Sequence, residues 1–197
     1  MEIAVINDML LLEEFTTAMN ESFKQRSSNR IPYEGISADE LNNDKTQINL
    51  GAFDRTGKII GGLSIKCFSA YGNTKTAKIF HLWTDPRHRR KGVASNLLKY
   101  AEKHIIQDGC QLIQLDVANI YKPAYRLYKK SGYKPLKIFA NIPKTYYFVR
   151  MIKEVEPFHF GKIKRILTLI KSSVIFFVLY KRDSSPKLLC RIIYGKK

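Results

Sequence analysis

The chain of 197 residues is long enough for one sizeable domain and too short for two full ones. Its hydrophobic fraction of 45% predicts a packed core and excludes a disordered chain, and its formal net charge of +17 favours anionic partners. The three cysteines lack CxxC spacing and cannot all pair, which argues against a disulfide framework or a metal site and for a reducing compartment. Because the first residues carry no secretory signal, we expect a cytoplasmic protein.

Hydrophobic periodicity predicts a mixed α/β (α+β) chain without internal repeats. Asp8 is a predicted helix cap, with Leu11, Phe15, Ala18 and Phe23 near the buried face of that helix. A short helix is expected to open on a capping box at residues 37–40. Further helices are expected from Val93 to Ile105 and around Ala124 to Tyr128. The predicted strands cover residues 2–6, 47–53, 58–68, 77–84, 112–117, 133–140 and 145–152.

A basic turn between a strand and a helix, residues 84–95, is the most informative segment. The strand 79–83 precedes it, and an amphipathic helix begins near Val93. A helix start leaves about four backbone N–H groups without intrahelical partners and carries partial positive charge. With Gly92 allowing close approach and arginines beside it, the turn suits a pyrophosphate.

Two motifs in this order carry a family resemblance. Arg89-x-x-Gly92-x-Ala94 resembles the R/Q-x-x-G-x-G/A signature of the GNAT superfamily of N-acetyltransferases, and residues 124–133 resemble its A-x-x-L-Y-x-x-x-G-F/Y pattern. One departure is that Tyr121 occupies the position of a common asparagine, with Asn119 two residues earlier. The resemblance covers residues 1 to 153, and its specific motifs lie within 84 to 133.

The resemblance implies the GNAT fold over residues 1–154, with residues 155–197 as a basic extension packed on that domain. It implies a mixed, mostly antiparallel sheet flanked by helices, whose strands 79–84 and 112–117 splay around acetyl-CoA as co-substrate. The expected cofactor-binding residues are Leu82, Trp83, Thr84, Arg87, Arg89, Arg90, Lys91, Gly92, Val93, Ala94, Ser95, Asn119, Tyr121 and Ala124.

The family also suggests catalytic roles. Tyr128 is the expected general acid that protonates the departing CoA thiolate, with Tyr125 as the weaker alternative. His81 is the candidate general base, because it is the one titratable residue of the right type on the strand before the turn. Asp85 and Asp116 are alternatives, as is a water chain without a dedicated base. Strict alternation places His81 on the face of Ile79 and Trp83.

The reaction implied is transfer of an acetyl group to a small-molecule or protein amine by direct attack in a ternary complex. Residues 161–197 hold ten Lys and Arg against the single acid Asp183. The pattern of that segment predicts a terminal element with a solvated basic face. The alternative prediction is a docking surface for an anionic partner. Its apolar run is too short for a transmembrane span. The alternatives are a catalytically weak acyl-CoA-binding GNAT module or a basic nucleic-acid or ribosome-associated protein. A homodimer stays open.

Overall fold

The computed structural model describes residues 1–25, 34–44, 46–70, 74–140 and 147–155. Over these residues it shows seven strands, which form a mostly antiparallel sheet, and four α-helices, so the expected mixed α+β fold is confirmed. Two compact units divide after Ile113. Apart from Val155, the basic extension predicted over residues 155–197 lies outside the described residues.

The elements follow the predicted order. In the first unit they are β1 (Glu2–Val5), α1 (Met9–Lys24), α2 (Ala38–Asn43), β2 (Gln47–Phe53), β3 (Ile59–Ala70), β4 (Thr74–Thr84), a 3₁₀ turn (Pro86–His88) and α3 (Val93–Gln107). Strand β5 (Leu112–Ala118) runs into the second unit, which continues with α4 (Lys122–Lys130), β6 (Lys134–Ala140) and β7 (Tyr147–Glu154). Strands β1 to β4 are antiparallel neighbours in chain order, and β6 pairs antiparallel with β7.

Local capping explains where the first two helices begin. The Asp8 side chain accepts a hydrogen bond from the Leu11 amide at 3.1 Å, and Ser37 and Glu40 form a reciprocal capping box, as predicted. The predicted buried face of α1 was wrong at Leu11, which is 37% exposed. The buried stripe runs instead through Leu12, Phe15, Thr16, Met19 and Ser22, because Phe15 and Met19 enter the core and set the rotation of the helix.

Two adjacent glycines let helices approach β3 from opposite sides. A Cβ atom on Gly62 would lie 2.2 Å from the Phe15 ring of α1, and one on Gly61 would lie 2.8 Å from a methyl of Val93 in α3. Neither position has room for a side chain. Helix α3 buries the stripe that its periodicity predicts: Val93, Leu97, Leu98, Ala101 and Ile105.

Two thiols meet where α3 ends. Cys110 follows the last turn of α3, and its Sγ lies 3.4 Å from that of Cys67 in β3. Both cysteines are free thiols without a disulfide bond. Burial, followed by the hydrogen bond to Cys67, raises the pKa of the Cys110 thiol to about 12. The half-buried Cys67 is therefore the more accessible of the two to an oxidant.

We expect a thiol oxidant such as diamide to join Cys67 and Cys110, because their sulfurs need to approach by only about 1.4 Å to reach the disulfide distance. The measurement is the number of free thiols in denatured full-length Cys190→Ser protein before and after oxidation. It should fall from two to none. The matched control, Cys67→Ser with Cys190→Ser, should keep its single thiol. Two thiols surviving in Cys190→Ser would contradict the observed proximity.

Candidate functional site

Strand β4 carries one residue more than its partner β3. Gly62 pairs with Trp83 and Ser64 pairs with Phe80, so Leu63 alone stands opposite both His81 and Leu82. The extra residue is accommodated by His81, whose φ of 54° lies in the left-handed region. This is a β-bulge, a feature that bends a strand and re-aims its side chains.

The bulge overturns the side-chain alternation expected for β4. Gly62 and Ser64 lie on one face of β3, so their partners Trp83 and Phe80 share a face, although strict alternation would separate them. On that face Trp83 is 1% exposed and contacts Phe15 of α1 edge to face, with ring centroids 5.8 Å apart. The indole of Trp83 is thus part of the core.

His81 points to the same face as Ser64 rather than to that of Ile79. Its Nδ1 lies 3.5 Å from the Ser64 hydroxyl, and its ring meets the Phe80 ring edge to face at 4.7 Å. Burial, with a smaller contribution from the charge of Lys78, lowers the pKa of His81 to about 4. The imidazole is therefore neutral at pH 7.

The predicted phosphate-binding turn has an open, uncapped helix start. Gly92 is the N-cap of α3 with φ of 83°, and no side chain caps the helix. A Cβ on Gly92 would meet only the Asn96 side chain, at 3.8 Å. The amides of the first helical residues, Val93 to Ser95, have no intrahelical acceptor. They form the positive end of the helix dipole. Val93 itself is buried against Gly61, so it offers a ligand only its amide.

The basic side chains of the turn differ in their availability. Arg87 forms an ion pair with Asp85 at 3.2 Å, and Arg89 Nε donates to the Thr84 carbonyl at 3.4 Å. Arg90 has φ of 64°, and both Arg90 and Lys91 are exposed. A cleft of about 570 Å³ borders this turn, lined by α1 on one side and by Lys58, Asp85 and Arg87 on the other. The turn is therefore accessible to a ligand that binds at the surface of the first unit.

The remaining predicted residues lie in the second unit. Tyr128 and Tyr125 are the buried residues of α4, and Tyr128 stands edge to face with Tyr133 at 6.0 Å. Gly132, with φ of 90°, follows the end of α4 and lets the chain turn back, so that the Tyr133 amide donates to the Tyr128 carbonyl at 3.0 Å.

The residues before α4 are held by the backbone. The amide of Asn119 donates to the Tyr147 carbonyl at 2.9 Å, and its side-chain oxygen accepts from the Tyr147 amide at 3.1 Å. Tyr121 is the N-cap of α4, and Ala124 is half-buried in its first turn. With its oxygen occupied by Tyr147, the Asn119 side chain retains its NH₂ group for a ligand.

The two alternative bases are both ion-paired. Arg87 holds the pKa of Asp85 at about 2, chiefly through the side-chain hydrogen bond. Asp116 receives two hydrogen bonds from Arg150, at 2.8 and 3.0 Å. With its pKa held so low, the Asp85 carboxylate is a weak proton acceptor.

Sequence reasoning missed two polar residues beside His81. Ser64 is fully buried and donates to Asn49 Oδ1 at 2.7 Å, and Asn49 is 6% exposed. Both interrupt apolar strand runs, and a polar residue inside such a run signals a buried hydrogen bond. Their pairing depends on the β2–β3 register, which that signal does not provide.

Within residues 1–25, 34–44, 46–70, 74–140 and 147–155, no three His, Cys, Asp or Glu side chains are grouped as ligands of a metal ion would be. No helix in those ranges is long and apolar enough to cross a membrane.

Comparison with known proteins agrees with the motifs. The profile of the acetyltransferase (GNAT) family matches residues 11–133, while comparison with curated proteins gives no match. An aminoglycoside 6'-N-acetyltransferase solved with coenzyme A is 18% identical, with a TM-score of 0.62 over 80% of this chain and 99% of that one. The ribosomal-protein-S18-alanine N-acetyltransferase of Escherichia coli is 14% identical, with a TM-score of 0.60 over 81% of this chain and 97% of that one.

A third similar structure, an N-acetyltransferase of Staphylococcus aureus Mu50, is 13% identical with a TM-score of 0.64 over 79% of this chain and 100% of that one. At these identities the structures show likeness of fold. The family profile spans more than half of the chain and includes β4, the basic turn, α3 and α4. The chain belongs to the GNAT acetyltransferase family.

Proposed function

We propose that this protein transfers an acetyl group from acetyl-CoA to an amine by direct attack in a ternary complex. The observation that carries the proposal is Gly92, which starts α3 in a left-handed conformation, without a cap and with open space above it. It occupies the glycine position of the family motif, where the resemblance implies a pyrophosphate. An anion at such a helix start gains from the free amides and from the dipole.

The turn offers donors that fit a pyrophosphate. The amides of Gly92 to Ser95 would contact the phosphate oxygens, and the exposed Arg90 and Lys91 would add positive charge. Arg87 would have to share its guanidinium with Asp85, and Arg89 already holds the Thr84 carbonyl. Both arginines therefore help to shape the turn as well as to attract an anion.

The other assigned cofactor contacts rest on the resemblance. Backbone groups of Leu82, Trp83 and Thr84 would bind the amides of the pantetheine arm, and an N–H among them would face the acetyl oxygen. A donor placed there stabilises the negative charge that develops on that oxygen during attack, and such a donor contributes roughly 3 kcal/mol. Asn119, Tyr121 and Ala124 are proposed to lie along the same arm.

Acetyl-CoA supplies a thioester whose carbonyl carbon forms a C–N bond with the amine as its C–S bond breaks. Tyr128 donates its phenolic proton to the departing sulfur, and His81 removes a proton from the nitrogen. Net transfer of one proton from nitrogen to sulfur leaves an amide and a free thiol, and exchange with solvent restores both side chains.

The lowered pKa of His81 determines at which step of the reaction the imidazole can accept a proton. An imidazole with a pKa of about 4 does not deprotonate an ordinary ammonium, but it is neutral and ready to accept a proton. The nitrogen becomes strongly acidic once it bonds to the acetyl carbon. We therefore propose that the amine enters uncharged and that His81 acts as this bond forms.

The acceptor is proposed to be an amine of a small molecule or of a protein. The names of the similar structures include both kinds, an aminoglycoside and the alanine of a ribosomal protein. These names support an amine as the acceptor group but do not identify the molecule that carries it. Activity on a panel of amines would identify the acceptor.

Substituting Gly92 by Glu should abolish acetyl-CoA binding, because a side chain and a negative charge would enter the phosphate site. The measurement is calorimetric titration of acetyl-CoA, in which we expect micromolar affinity for the parent, roughly −8 kcal/mol. The matched control is Gly109→Glu at the other end of α3, which has the same left-handed strain (φ of 72°) and open surroundings.

The control separates strain from charge repulsion. Gly109→Glu should bind acetyl-CoA as the parent does. Binding retained by Gly92→Glu would show that the pyrophosphate lies elsewhere, and a folded parent without any binding would refute the acetyltransferase proposal itself.

Substituting Tyr128 by Phe should lower kcat by roughly 10²-fold or more, because the departing thiolate loses its proton donor. The phenyl ring keeps the edge-to-face contact with Tyr133, so folding and acetyl-CoA affinity should stay close to the parent values. The measurement is steady-state release of free CoA thiol with an amine identified by screening.

Tyr125→Phe is the comparison for this prediction, since it removes a buried phenol from the same helix. The proposal expects the larger loss of kcat in Tyr128→Phe. Full activity of Tyr128→Phe across the pH range, or a larger loss in Tyr125→Phe, would remove Tyr128 from the role of acid.

A further inference from the structure

A buried polar chain lies behind His81 and crosses three strands. Gln47 Nε2 donates to Asn49 Oδ1 at 2.9 Å, the Ser64 hydroxyl donates to the same oxygen at 2.7 Å, and His81 Nδ1 lies 3.5 Å from that hydroxyl. Gln47 and Asn49 belong to β2, Ser64 to β3 and His81 to β4. Burying polar side chains costs free energy unless they are hydrogen-bonded, so this hydrogen-bonded series calls for a functional explanation.

The direction of the hydrogen bonds is fixed by counting protons. The Ser64 hydroxyl has one proton, and the 2.7 Å contact directs it to the Asn49 amide oxygen, which can only accept. The same hydroxyl therefore presents a lone pair to His81. A neutral imidazole meets that lone pair with Nδ1–H, and its Nε2 then carries the free electron pair.

We infer that Asn49 and Ser64 are positioning residues that hold His81 in its Nδ1–H tautomer, with Nε2 available to accept the proton of the acceptor amine. The inference deepens the proposed function and rests on it for the catalytic role. The separation of 3.5 Å is long for a hydrogen bond, and such contacts commonly tighten when a substrate binds.

The bulge makes this contact attainable. With regular alternation His81 would lie on the face opposite Ser64, and the left-handed φ of His81 brings the imidazole to the Ser64 side. Holding a non-glycine residue in that conformation costs free energy, which the surrounding structure must supply. Strain retained at a candidate catalytic residue is more consistent with a functional constraint than with packing alone.

The charges on this face favour a neutral imidazole. Lys78 lies on the same strand and lowers the pKa of His81, after the larger effect of burial. Lys66 is the cross-strand partner of Lys78, and its ammonium is paired with Asp44 at 2.5 Å. Asn49, unlike an aspartate, adds no negative charge behind Ser64 and so does not raise the pKa of His81.

The first measurement is the tautomer of His81 in ¹⁵N-labelled full-length protein, read from imidazole nitrogen shifts. The signal is assigned by its loss in His81→Gln. The parent should show Nδ1–H, and Ser64→Ala should shift the population toward the Nε2–H form that free imidazoles prefer. Thr76→Val is the matched control, because it removes a fully buried hydroxyl of β4 that donates to the Thr74 carbonyl.

The second measurement is kinetic. Ser64→Ala should lower kcat roughly fivefold to tenfold, the loss expected for one hydrogen bond, with the KM for acetyl-CoA unchanged. Asn49→Asp should keep the Nδ1–H tautomer and move the acid limb of the kcat–pH profile upward from the parent position near pH 4, because a carboxylate behind Ser64 stabilises the imidazolium. A new charge at residue 49 moves that limb only if the group that titrates there is the imidazole next to Ser64.

The outcomes separate the two hypotheses. A parent with Nε2–H at His81, or a Ser64→Ala protein whose tautomer matches that of Thr76→Val, overturns the inference. Should Ser64→Ala fail to fold, an unmoved acid limb in Asn49→Asp overturns it equally. A His81→Gln protein that keeps the parent kcat refutes the proposed catalytic role of His81, whereas the tautomer of the parent tests the positioning by Ser64 and Asn49 independently of that role.

Discussion

An additional residue in β4 determines where the polar and aromatic groups of the first unit lie. With Leu63 opposite both His81 and Leu82, the strand places Phe80 and Trp83 on one face and turns His81 toward Ser64. Trp83 then fills the core against α1, while the chain continues into the basic turn. A single backbone irregularity thus couples core packing to the orientation of the candidate base.

The basic turn depends on a different property, the freedom of glycine. Gly92 adopts a left-handed conformation and contributes no cap, so the amides at the start of α3 stay available to an anion. Around it the arginines are partly committed: Arg87 to Asp85, and Arg89 to the Thr84 carbonyl. The positive charge is held in place by the fold before any ligand arrives, which limits the reorganisation that binding requires.

Local signals in the sequence were sufficient for much of the fold. The Asp8 cap, the Ser37–Glu40 capping box and the α3 stripe depend on neighbours a few residues apart, and each was predicted correctly. The orientation of His81 was not, because a bulge arises from pairing between distant strands. For the same reason the Asn49–Ser64 contact could not be predicted, although both residues are visible as polar positions within apolar runs. The family motifs gave candidate roles to Gly92 and Tyr128, while pairing and burial around them required coordinates.

The two glycines of β3 have a consequence for variation in this protein. At Gly61 and Gly62 the sheet is only one backbone thick between Phe15 of α1 and Val93 at the start of α3. A larger residue on the α1 side would find no free space there, so the strand itself would have to move. A change of residue size on one side of the sheet would therefore displace the helix start on the other side. The two surfaces are expected to evolve as a coupled pair, and engineered libraries would do best to vary them together.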